Sequence, residues 1–108
     1  MVVASLQFRV KHEKRGEFVR AAETFVATLR QVSGCLDCRL LTDYESRDLF
    51  TVKTEWEAAP PLRLFLDSNE FRAMLGTRIL LHHPPGLCID EVLRRTTLTG
   101  RGRAKLSW

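Results

Sequence analysis

Apolar and polar side chains alternate at the start of the chain. Ala4, Leu6, Phe8 and Val10 fall on one side, and Val3, Ser5, Gln7 and Arg9 on the other, the period of a half-buried strand over residues 2–10. After the charged stretch His12–Gly16 the period changes. Phe18, Ala22, Phe25, Leu29 and Val32 recur at spacings of four and three, which predicts a helix from about Lys14 to Ser33, with Gly34 placed to take a left-handed cap. Residues 35–42 predict a second strand with Leu36, Cys38 and Leu40 on one face. A polar turn, Asp43–Asp48, then leads into a strand over Leu49–Trp56, as in an antiparallel hairpin. On this third strand Phe50, Val52, Thr54 and Trp56 share the core side. Pro60 and Pro61 suit the first turn of a short helix bearing Leu62, Phe65 and Leu66. Asp67 or Ser68 can cap a further helix whose Phe71, Met74, Leu75 and Ile79 repeat at helical spacing. His82-His83-Pro84-Pro85-Gly86 ends it. A last strand over about Leu87–Thr96 is expected to return Leu87, Ile89 and Leu93 to the core.

The order β-α-β-β-α-β is the ferredoxin-like pattern of an α+β fold: a four-stranded antiparallel sheet with two helical segments on one face. The other face is then uncovered. It mixes Val3, Leu41 and Val92 with Arg9, Arg39, Lys53, Asp37, Glu55 and Asp90, which suits either a solvated surface or a charge-paired contact between two copies.

With 108 residues there is room for one core, and 44% hydrophobic with 28% charged residues is a globular balance. No apolar run is long enough to span a bilayer, and the first eight residues lack the features of a signal peptide, so no membrane contact and a cytoplasmic location are expected. The net charge of +4 is concentrated at the end. Taking away Arg94, Arg95, Arg101, Arg103 and Lys105 leaves −1 for residues 1–93. The division expected is a domain over 1–93 and a basic arm over 94–108, with Trp108 hinting that the arm docks on a protein surface. A basic tail without a binding fold does not make a nucleic-acid protein.

Three cysteines form no even framework of disulfides, as in a reducing compartment. Cys35 and Cys38 have redox-motif spacing, but they follow a helix end and enter a strand, where residues three apart should point to opposite faces. Cys88 is expected at the far sheet edge. No metal site results. His82 and His83 suit the C-terminal end of a helix, and His12 a charged turn. No nucleophile, base and orienting acid come together, so hydrolase chemistry has no support.

The residues Gly34-Cys35-Leu36, Arg39-Leu40-Leu41, Glu55-Trp56, Leu62, Leu66, Ser68 and Phe71 resemble the antibiotic biosynthesis monooxygenase family of small dimeric α+β barrel proteins, over nearly all of residues 2–93. The family pattern also carries a His nine residues after the Trp; here that position is Phe65. The resemblance implies a homodimer packed through the open sheet faces and a pocket in each subunit between the apolar sheet face and the helices. Members variously oxygenate phenolic or quinol-type compounds with O2 and no bound cofactor, degrade haem, isomerise or bind small metabolites. Haem degradation is disfavoured by Phe65 and by Leu6, which stands where haem-degrading relatives place an Asn. Oxygenase members tend to carry a side-chain amide on the third strand, and none is present.

Within that frame an apolar pocket is expected, lined by Leu6, Phe8, Phe25, Phe50, Phe65 and Phe71, with Thr54 as its nearest polar group. Trp56 would offer its indole N–H to a planar ligand, and Arg78 or Arg72 a cation to a substrate anion. The leading function is cofactor-independent oxygenation of a small aromatic or quinol-type compound. The alternative is a non-catalytic dimeric module that binds a small apolar metabolite.

Overall fold

The computed structural model describes residues 1–98. Its elements are β1 (Val2–Arg9), a 3-10 turn (His12–Lys14), α1 (Arg15–Leu29), β2 (Cys35–Thr42), β3 (Leu49–Trp56), α2 (Ala59–Leu66), α3 (Asn69–Leu75), a 3-10 segment (Gly76–Leu80) and β4 (Gly86–Glu91). The strands form one antiparallel sheet in the order β2-β3-β1-β4, so β1 and β3 are central and β2 and β4 are the edges. This is the expected ferredoxin-like α+β arrangement.

The central strands follow their sequence pattern. Val2, Ala4, Leu6 and Phe8 are buried in register opposite Trp56, Thr54, Val52 and Phe50 across the β1–β3 ladder, and Val10 just beyond β1 is buried as well. α1 lays Phe18, Ala22, Phe25, Val26 and Leu29 on that surface. Phe18 packs between Phe8 and Phe50 with ring centroids 5.1 Å from each. Pro60 and Pro61 open α2, where their missing N–H groups leave no helical bond unmade. Ser68 caps α3, its hydroxyl oxygen accepting from the Phe71 amide at 3.2 Å.

Expectations about four of the elements are corrected. First, α1 stops at Leu29, four residues before Ser33, and Gly34 (φ +88°) is the left-handed hinge into β2. Second, a bulge between Cys35 and Asp37 changes the parity of β2, so Leu36 is exposed although Cys38 is fully buried. The same bulge sets Cys35 opposite Trp56 and Cys38 opposite Thr54, so the two thiols share the core face after all. Third, the helix begun at Asn69 tightens to 3-10 at Gly76, which turns Ile79 outward (74% exposed) and buries Leu80 and Leu81. Fourth, β4 ends at Glu91, and every residue on it is exposed, including Leu87 and Ile89; Leu93 beyond it is 92% exposed. An edge strand outside the cover of the helices keeps its alternation without burying it.

His82 and His83 do not cap a helix. The His82 amide donates to Arg9 O at 3.0 Å, and His83 Nδ1 lies 3.2 Å from Pro84 O. After β4, the Val92 amide donates to Met1 O and Arg95 Nη1 pairs with Glu55 Oε2 at 3.0 Å, so this stretch lies over the open sheet face. The remainder of the basic arm, with Arg101, Arg103, Lys105 and Trp108, lies outside the described residues.

Candidate functional site

Trp56 ends β3 fully buried, stacked on Phe65 of α2 with centroids 5.5 Å apart. Its Nε1–H donates to Thr54 Oγ1 at 2.8 Å, and the Thr54 hydroxyl donates to Ala4 O at 2.9 Å. Parity places the two side chains on one face, and the hydroxyl bridges indole and strand. The donor expected to meet a ligand is therefore engaged inside the fold. Leu6, Phe8 and Phe50 are likewise packed in the interior, while Phe71 touches Phe65 edge-on at 5.6 Å at the margin of the core.

The cationic residues also go elsewhere. Arg72 is exposed and donates to Asn69 Oδ1 at 3.2 Å, and Arg78 is exposed on the 3-10 segment. Neither lines a cavity described here.

The open space lies one layer outward, between α1 and the α2–α3 pair. One cavity, of about 210 Å³, has Ala21, Thr24, Phe25 and Thr28 as its α1 wall. Its opposite wall is Glu70, Ala73, Met74 and Thr77. A second, of about 450 Å³, runs along α2 past Pro60, Pro61, Leu64, Phe65 and Ser68 to Val32 and Ser33 in the turn between α1 and β2. Glu70 belongs to both linings, so the two are neighbours along the groove between α1 and the α2–α3 pair, and each is open to solvent. Of the expected pocket residues, Phe25 and Phe65 line this groove; their rings touch at 5.9 Å and join its walls to the aromatic core.

Four hydroxyls along the groove donate to backbone carbonyls nearby in sequence. Thr24 donates to Arg20 O at 3.2 Å, Thr28 to Thr24 O at 3.1 Å, Thr77 to Met74 O at 2.7 Å and Ser68 to Phe65 O at 2.5 Å. Among the described residues Glu70 is the only ionisable side chain in either lining, and it is exposed. These residues were not singled out from the sequence, although the stripe Ala21-Thr24-Phe25-Thr28 and the stripe Glu70-Ala73-Met74-Thr77 both have the spacing of one helix face. Thr and Glu at such positions normally read as solvated.

Two of the three thiols, Cys35 and Cys38, are held unreactive by their environment. Burial pushes Cys38 up to about 12, and burial raises Cys35 as well, partly opposed by its hydrogen bond to Asp37 O. Among the described residues no group of His, Cys, Asp or Glu could hold a metal, and no helix is long and apolar enough to cross a membrane.

A sheet backed by helices around a small aromatic core defines a class of small α+β domains. The profile described as antibiotic biosynthesis monooxygenase matches residues 1–76, and the chain belongs to that family. Among solved structures it is similar to a putative antibiotic biosynthesis monooxygenase from Deinococcus radiodurans (16% identity, 93% of this chain and 100% of that one, TM-score 0.84). A conserved protein from Methanosarcina mazei Go1 is also similar (20% identity, 82% and 89%, TM-score 0.78), as is a putative antibiotic biosynthesis monooxygenase from Nitrosomonas europaea (15%, 87% and 100%, TM-score 0.79). At these identities the likeness is one of fold. No curated protein matches the chain.

Proposed function

We propose that the chain is a monooxygenase that oxidises a small, electron-rich phenol or quinol with O2 and no bound cofactor, in the groove between α1 and α2–α3. The observation that carries this reading is the groove itself: apolar walls from Phe25, Phe65 and Met74 with a single carboxylate, Glu70, where its two cavities meet. In such a reaction the substrate supplies the electrons. Glu70 takes the phenolic proton, the ring anion passes one electron to O2, the ring radical and superoxide combine as a peroxide anion, and the proton returns from Glu70 to make it a hydroperoxide. Loss of water leaves a quinone carbonyl, with one oxygen atom in the product and the other in water. Phe65, resting on Trp56, and Phe25 hold the plane of the ring; Trp56 acts as a positioning residue through Phe65.

The test is oxygen uptake with a panel of phenols and quinols under ¹⁸O2. One labelled atom in the product and a roughly hundredfold lower kcat/KM in Glu70→Gln are expected for a general base. If no compound on the panel is turned over, the oxygenase reading fails.

A second reading, a non-catalytic module for a small apolar metabolite, is favoured by one observation. Among the described residues every buried side-chain polar atom has a partner, so none is left poised to stabilise an oxyanion. It predicts retention of a ligand without oxygen uptake.

Two further features belong to the proposal. The open sheet face balances Arg9, Arg39 and Lys53 against Asp37, Glu55 and Asp90 and exposes Leu41, which suits pairing with a second copy. Three free thiols, one of them exposed, suit the reducing cytoplasm.

A further inference from the structure

The sheet face turned away from the helices is not uniform, because strand register sorts its residues into rows. At one end Asp37, Glu55, Val3 and Asp90 stand side by side across the four strands; the next row is Arg39, Lys53, Ser5 and Cys88. Like charges directly opposite one another on neighbouring strands repel, and Asp37 and Glu55 are such a pair. Each is answered by a guanidinium. Arg39 Nε donates to Asp37 Oδ2 at 3.0 Å from within β2, whereas Glu55 takes its partner from outside the sheet, Arg95 Nη1 at 3.0 Å. The hydrogen bond to Glu55 and, after it, the charges of Glu55 and Asp37 raise the Arg95 pKa, so the guanidinium answers both carboxylates.

Arg95 is carried there by the chain that follows β4. The Val92 amide donates to Met1 O at 2.9 Å beside the start of β1, and three residues later Arg95 reaches Glu55 on β3. A path from the β4 edge to β3 crosses β1, and burial follows it. Val3 faces away from the helices yet is only 8% exposed, and the Glu55 side chain is 15% exposed. Gln7, Arg9 and Leu41, toward the other end of the same face, are exposed.

We propose that residues 92–95 form a strap that holds the acidic row of this face in cis, and that the strap must lift before two copies can pack through the face. The second clause rests on the face being a pairing surface, as read above. Two observations name the occupant of the row. The strap ends on the carboxylates whose charge it complements, and Val3, the apolar residue of that row, is buried beneath its path. A dimer has two straps to lift, so whatever the clasp contributes in one chain enters the dimer Kd squared. An ion pair as exposed as this one is worth about threefold, so losing it in both chains tightens the dimer by up to about tenfold.

Two measurements on the full chain test this. Arg95→Lys keeps the charge and supplies an amine, which a carbodiimide condenses with the Glu55 carboxylate to an amide, the carbodiimide leaving as its urea. Run on an equal mixture of ¹⁴N- and ¹⁵N-labelled protein and mapped by peptide mass spectrometry, the reaction should join positions 55 and 95 within one isotope. Peptides of mixed isotope would put the segment on the partner copy, and the lack of any link between the two positions would remove the strap; either overturns the proposal. The second measurement is sedimentation equilibrium of wild type and Arg95→Gln, a substitution at an exposed position. The dimer Kd should fall between about threefold and tenfold in the variant. An equal or higher Kd in the variant overturns the competition and leaves the pairing surface standing. A chain that stays monomeric in both forms overturns the pairing surface and the competition together, and the same-isotope link then still distinguishes a strap from none.

Discussion

Thr54→Val tests whether the indole of Trp56 is anchored within the fold. The substitution nearly preserves shape and removes one hydroxyl. That hydroxyl accepts from Trp56 Nε1 at 2.8 Å and donates to Ala4 O at 2.9 Å, in a place where Thr54 is 2% exposed and Trp56 not at all. The indole N–H would then be buried without a partner, which costs about 1–3 kcal/mol. Taking about 2 kcal/mol, and about 4–8 °C of Tm for each kcal/mol in a domain near this size, the midpoint should fall by about 10 °C. Thermal unfolding followed by far-UV circular dichroism reads this directly. The paired variant sharpens it. Once Trp56→Phe has removed the N–H, adding Thr54→Val should cost less than about 1 kcal/mol, a coupling of at least about 1 kcal/mol in the double-mutant cycle. If Thr54→Val stays within about 2 °C of wild type, or costs the same in both backgrounds, the N–H does not depend on Thr54 and is free for a ligand.

Gly34→Ala should destabilise by at least about 2 kcal/mol. Its φ of +88° disfavours any L side chain, and a Cβ there would run into the Pro61 ring; urea denaturation with an unchanged midpoint would contradict this. Thiol labelling of the native protein at pH 8 should modify Cys88 rapidly, Cys35 slowly and Cys38 only on unfolding, as their exposure ranks them; rapid labelling of all three would refute it. The Cys38 thiol, raised from 9.0 to about 12 in the fold, contributes stability that is complete below pH 9 and lost as pH rises from there to about 12. The midpoint in urea should accordingly decline over that range, and less so in Cys38→Ala.

Strand parity and helix period made the central layers readable. β1 and β3 are flanked on both sides by other strands and covered by α1, so alternation and burial coincide on both except at Val3, which is buried although it belongs to the other face. Agreement fails where a local device changes the count. The bulge at Leu36 adds one residue to β2, and the switch to 3-10 at Gly76 changes the angular step that had placed Ile79 inward. It fails at β4 for another reason, because Leu87 and Ile89 alternate correctly on an edge that no helix covers. The candidate site was less legible. Trp56 and Thr54 are correctly placed on one face, but a hydrogen bond between them is invisible to spacing. Phe25 and Phe65 were found as apolar positions. Thr24, Thr28, Glu70 and Thr77 were missed, since only the packing of α3 beside α1 turns two polar helix stripes into facing walls.

The account stands on the ligand site being the groove between α1 and α3, outside the layer that holds Trp56. Amide chemical-shift mapping of ¹⁵N-labelled protein titrated anaerobically with hydroquinone locates it. Saturable shifts concentrated at Ala21, Thr24, Thr28, Glu70, Ala73 and Thr77 are predicted. Shifts confined to the open sheet face around Lys53 and Arg39, with α1 and α3 unmoved, would contradict the account.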